Sequence, residues 1–159
     1  MNCPRLDHFA RINQDGTIGK CGHMVSGKGF KSYEEMEGSD WLREVKSKME
    51  NNQWPEECVR CKQSEDQKGE SMRTNSIDRH RLLHPIREDY LIIGGVLDNI
   101  CNSACQSCNA GLSTKIGSLT SKNYTRVDNY HLFEKLPQER IIELDVNGGE
   151  PTASRNYKK

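Results

Sequence analysis

The chain has 159 residues, an apolar fraction of 33% and equal numbers of basic and acidic residues, 23 of each. That length supports one ordinary domain or two small ones, the apolar fraction is low for a generous core, and the balanced charge gives no clear signal for nucleic acid or an anionic membrane. No apolar run is long enough to span a bilayer, and the N-terminus MNCPRLDHFA lacks the apolar stretch of a signal peptide, so a cytoplasmic protein is expected. Seven cysteines in a reducing compartment are poor disulfide candidates, and an odd number leaves one unpaired, which directs attention to metal binding.

In chain order, FARINQDGTIGKC predicts two short strands, Phe9 to Asn13 and Thr17 to Cys21, joined by a turn at Asp15-Gly16. Cys21 then leaves the end of a hairpin. Ser32 with Glu35 reads as a capping box for a brief helix that stops at Gly38. In SDWLREVKSKMENN, Ser39 or Asp40 caps a longer helix whose Leu42, Val45 and Met49 share a core-facing side. Pro55 suits a first helical position, so a further helix is expected to carry Cys58 and Cys61 one turn apart near its start.

From Gln63 to Asp89 the chain is highly charged and apolar periodicity fades, the pattern of a partly helical linker. YLIIGGVL then reads as a buried parallel strand, weakened by Gly94-Gly95. A helix over Asn123 to Leu136 presenting Tyr130, Phe133 and Leu136 is expected to end at Pro137, and Ile141 to Val146 forms a second strand that stops at NGGEP. Strand, crossover and strand make a right-handed βαβ unit, which sets CNSACQSC and NGGEP together at the C-terminal end of adjacent strands, where α/β folds place their chemistry.

In CNSACQSC, Cys101, Cys105 and Cys108 follow a C-x₃-C-x₂-C spacing. Three thiolates cannot complete a zinc sphere or ligate all four irons of a [4Fe–4S] cluster, so a position stays open for a substrate or cofactor. The alternative is a zinc loop completed by a histidine such as His131. Gly148 and Gly149 let backbone approach a ligand, and Glu150 can accept hydrogen bonds from an ammonium group. For Cys3, Cys21, Cys58 and Cys61, spacing alone favours a Cys₄ zinc site on a hairpin and a helix-borne pair. His8, His23, His80 and His84 read as solvated or structural, and Arg60 and Arg73 as surface residues.

CNSACQSC resembles the cluster loop of the radical S-adenosylmethionine (radical SAM) superfamily, and NGGEP is similar to its GGE motif on the following strand. Cys3, twelve residues, Gly16, four residues and Cys21 resemble the C-x₉₋₁₅-G-x₄-C signature of SPASM and twitch domains. Cys58-x₂-Cys61 is similar to that signature's later pair, and Trp41 and Ser71-Met72-Arg73 fit related chains whose twitch-like module comes first. Ser107 departs from the pattern, because the family usually has an aromatic or apolar residue before the third cysteine, against the adenine.

The resemblance implies an α/β chain with a small α+β twitch-like module at 1–75, a linker at 76–88 and the first βα units of a radical SAM barrel at 89–159. Such a barrel needs about six βα units, so the remainder would lie beyond these 159 residues. It further implies a [4Fe–4S] cluster on Cys101, Cys105 and Cys108, S-adenosylmethionine held by Gly148, Gly149 and Glu150, and an auxiliary [4Fe–4S] cluster on Cys3, Cys21, Cys58 and Cys61. An external electron donor and a peptide or protein substrate complete the expectation. The competing expectations are a zinc-stabilised binding module without redox chemistry and a catalytically incomplete radical SAM relative.

Overall fold

One helical turn, Arg5–His8 (α1), leads directly into Phe9–Ile12 (β1), and Ile18–Gly19 (β2) returns beside it. The structure, a computed structural model, describes residues 1–120 and 124–158. The hairpin turn is made as the sequence predicts: Asp15 accepts from the Thr17 backbone at 3.1 Å, and Gly16 takes a positive φ of 81°. Leu91–Val96 (β3) and Ile141–Asn147 (β4) complete a sheet in the order β2-β1-β3-β4. β1, β3 and β4 are mutually parallel, so the protein is a mixed α/β fold on an open four-stranded sheet.

The register divides the sheet into two unlike faces. On one, Ala10, Ile12, Ile18, Leu91 and Ile93 form a core with Tyr33 and Met36 from Tyr33–Glu37 (α2) and with Leu132 and Leu136. The other carries Phe9, Arg11, Ile92, Gly94, Glu143, Asp145 and Asn147 in neighbouring rows. Its apolar end packs Phe9, Tyr90 and Ile92 with Leu83. Gly95, with φ of 102°, explains the glycine pair inside a buried strand: a Cβ there would run into the Ile12 carbonyl, so glycine lets β1 close on β3.

A separate core forms where Asp40–Glu50 (α3) lays Leu42, Val45 and Met49 against Leu6 and Cys58. Ser39 is the cap, accepting from Leu42 N, and Ser32 caps α2 from Glu35 N. Pro55 stands one position earlier than expected: it is the extended residue before a 3₁₀ turn at Glu56–Cys58, which runs into Val59–Lys68 (α4).

Two regions differ from the sequence expectation. The charged stretch after Gln63 is mostly helix, because α4 continues to Lys68 and Met72–Leu83 (α5) follows. Capping and ion pairing, not an apolar stripe, organise it: Gly69 ends α4 at φ 73°, Ser71 and Thr74 make a capping box, and Glu65 pairs with Arg73. α5 runs across residue 75, and the β1–β2 hairpin shares one sheet with β3 and β4.

The helix expected from Asn123 is much shorter. Asn123 itself lies outside the described residues, and helix is present only at Tyr130–Phe133 (α7), while Thr114–Leu119 (α6) supplies the other turn of the crossover. The reason is competition for backbone groups. Asn99 donates to Thr125 O and accepts from Val127 N, and the Asp128 backbone bridges to Asp98, so this stretch is bonded to β3's end. Leu132 and Leu136 are buried, with Tyr130 and Phe133 half-buried.

Candidate metal and cofactor sites

Four cysteines from three segments line one pocket at the N-terminal end of β1. Cys3 starts the turn into α1, where Leu6 N donates to its carbonyl at 2.9 Å, and Cys21 opens the turn after β2, with Met24 N on its carbonyl at 3.1 Å. Cys58 and Cys61 come from the 3₁₀ turn and the first turn of α4. Val25 N donates to Glu57 O at 2.8 Å, which ties the Cys21 turn to the Cys58 segment. Trp41 fixes the same segment from α3 by donating its indole N–H to Glu57 at 2.8 Å.

Burial pushes the Cys3 thiol up to about 11, against the backbone hydrogen bond at Arg5 and with added repulsion from Cys21 and Cys61. Burial, then the neighbouring Cys3, Cys61 and Cys21, push Cys58 up to about 12. Cys3 and Cys58 therefore resist ionising, and a cation that binds them must displace their protons.

Arg73 is not the surface residue expected. Its side chain is 14% exposed, pairs with both oxygens of Glu65 at 2.9 and 2.6 Å, and donates to Asn2 O beside Cys3. It also lines the cysteine pocket. His8 and His80 are structural: His8 stacks on the Tyr90 ring and bonds its carbonyl, and His80 bonds its hydroxyl, at 3.0 Å each.

At the opposite, C-terminal end of the parallel strands lie the second cysteine loop and the GGE turn. Gly149 N donates to Leu112 O at 2.9 Å and Glu150 N to Ile100 O at 2.8 Å, so the GGE backbone clasps both flanks of the loop. Gly148 and Gly149 have φ of 84° and 67°, and a Cβ on Gly149 would stand 2.8 Å from Ile100 O. The Glu150 carboxylate accepts from Thr152 N at 3.2 Å and its hydroxyl at 2.9 Å.

Sequence reasoning missed the residues that build this end. Asp98 is wholly buried and accepts from Ile100 N at 3.0 Å, Asn156 Nδ2 at 2.9 Å and the Ser154 hydroxyl. Asn99, also wholly buried, binds Gly111 O, Thr125 O and Val127 N, and Thr114 accepts from Cys101 N at 3.0 Å. Asn129 joins the strand ends by donating to Asn13 O and Val96 O. The legible signal was a polar Asp-Asn pair directly after an apolar strand.

Cys101, Cys105 and Cys108 share this loop, and Cys108 N donates to Cys105 O at 3.2 Å. Cys105 is exposed and the other two half-buried, and Cys101 Sγ lies 3.3 Å from Ser103 N. His131 is exposed on α7. Among the described residues no group of three or more His, Cys, Asp or Glu stands at the spacing of a single-ion site. No described helix is long and apolar enough to cross a membrane.

Comparison with protein-family models, with curated proteins and with solved structures gave no significant match.

Proposed function

We propose that the chain is a radical SAM enzyme or a fragment of one: a twitch-like module holding an auxiliary [4Fe–4S] cluster, joined to βα units of a barrel that hold the catalytic cluster and S-adenosylmethionine. The observation that carries this reading is the pair of hydrogen bonds from Gly149 and Glu150 to Leu112 and Ile100. Two motifs some forty residues apart meet at the C-terminal ends of adjacent parallel strands, where α/β folds bind cofactors.

Cys101, Cys105 and Cys108 would ligate three irons and leave the fourth for the cofactor's amine and carboxylate. When bound, the cluster and S-adenosylmethionine supply one-electron reduction and a 5′-deoxyadenosyl radical that abstracts a substrate hydrogen. The chain's own work is positional. Asp98 and Asn99 hold the base of the loop, Gly148 and Gly149 admit a close backbone approach, and Glu150 offers a carboxylate to the ammonium group.

Cys3, Cys21, Cys58 and Cys61, which line one pocket, would hold the auxiliary cluster in this reading. A Cys₄ zinc site is the competing occupant of the same four thiols, and acid-labile sulfide distinguishes the two. The protein substrate and the external electron donor remain part of this reading.

Anaerobically reconstituted protein given S-adenosylmethionine and a low-potential reductant is expected to release 5′-deoxyadenosine in amounts that fall in Cys105→Ala. Intact cofactor beside a fully loaded cluster would instead identify a catalytically incomplete relative.

A further inference from the structure

The polar end of the sheet's second face is a cleft lined by Arg5, Phe9, Arg11, His23, Asp145 and Asn147, together with Gly95. Arg11 is the unusual member. It sits within β1, half-buried, and its guanidinium makes no hydrogen bond or ion pair among the described residues. The Nε atoms of both Arg11 and Arg5 are buried without a partner. A buried donor left unpaired on a cation is unfavourable unless a ligand completes it, and a planar guanidinium is matched by a carboxylate.

The opposite wall has the complementary character. Asp145 and Asn147 project from β4 on the same face as Arg11, and their side chains have no hydrogen-bond or ion-pair partner among the described residues. Arg11, Gly94 and Asp145 form one cross-strand row, so glycine occupies the place between the cation and the anion. Two inter-strand spacings separate the backbones, about 10 Å. Arg11 would not simply pair with Asp145 across that gap, because the Phe9 ring lies over Gly94.

We propose that this cleft binds a zwitterion of amino-acid type and about dipeptide length, its carboxylate on Arg11 and Arg5 and its ammonium toward Asp145 and Asn147. The proposal does not depend on which metal group the cysteines hold, so its failure would leave that reading untouched. Arg5 also lines the cysteine pocket, whereas Arg11 does not, which makes Arg11 the cleaner probe.

The test is calorimetric titration of the metal-loaded protein with Ala-Ala, Ala-Ala amide, N-acetyl-Ala-Ala and inorganic phosphate. Ala-Ala is expected to bind at least tenfold more tightly than its amide, and Arg11→Gln to lose at least tenfold in Ala-Ala affinity while Arg11→Lys retains part of it. Asp145→Asn, on the other wall, is expected to weaken Ala-Ala several-fold and leave the acetylated peptide unchanged. Equal binding of Ala-Ala and its amide, no effect of Arg11→Gln, or no measurable binding would overturn the proposal. Phosphate binding as tight as Ala-Ala would overturn it too, by making the cleft a general anion site.

Discussion

Glu150 donates its backbone N–H to Ile100 O at 2.8 Å, so the residue proposed to meet a cofactor ammonium is fixed against the residue that precedes Cys101. Backbone and side chain of Glu150 therefore have separable roles. Glu150→Ala removes only the two contacts to Thr152 and should leave the fold intact. S-adenosylmethionine affinity is expected to fall about 10- to 100-fold, the equivalent of ~1.5–3 kcal/mol for a charge-assisted contact. Equal affinity for wild type and variant, with equal iron content, would remove Glu150 from the site.

Gly149→Ala should behave in the opposite way. A residue with φ of 67° and 2.8 Å between its Cβ and Ile100 O must strain or break the clasp. The expected cost is about 1–3 kcal/mol, seen as a lower thermal midpoint and faster proteolysis of the Cys101 loop.

Asp98→Ala tests the buried network at the same end. It deprives Ile100 N, Ser154 and Asn156 of one acceptor at a fully buried position, so a loss of about 2–4 kcal/mol in urea unfolding is expected. Asp98→Asn, which keeps one acceptor oxygen, should lose less.

The quartet predicts a pH dependence. Cys3 and Cys58 are raised in the fold to about 11 and about 12, from an ordinary value of 9.0. The folded state thus favours the protonated thiols, and that contribution is complete below pH 9 and lost as pH rises toward 12. Metal-free protein should lose stability over that window. Metal-loaded protein, whose thiols are already deprotonated, should not, and urea midpoints at pH 8 and 10 for both forms would show it.

Much of the architecture was legible because it rests on local rules. Ser32 and Ser39 announce their helices, Asp15-Gly16 announces the hairpin, and Leu91 to Val96 is too apolar to be anything but buried. The continuation of α4 past Gln63 and the whole of α5 were hard to read because their stability comes from caps and from the Glu65–Arg73 pair, leaving little apolar periodicity. The crossover misled for a related reason: Asn99, remote in sequence, captures the backbone at Thr125 and Val127 that a helix would have used. Arg11 gave no sequence signal at all, since only the register of β1 against β3 and β4 reveals which charges share its face.

The most direct measurement of the central claim is the iron and acid-labile sulfide content of anaerobically reconstituted protein, in wild type and in two variants. Wild type should hold two clusters, about eight irons and eight sulfides per chain. Replacing Cys101, Cys105 and Cys108 together with Ala should remove about half of both, and Cys21→Ala should remove the other half and loosen the N-terminal segment, since the binding free energy of a metal held only by the folded chain is folding free energy. Full iron retained in the triple variant, or a wild-type protein loaded with zinc and free of labile sulfide, would contradict the account.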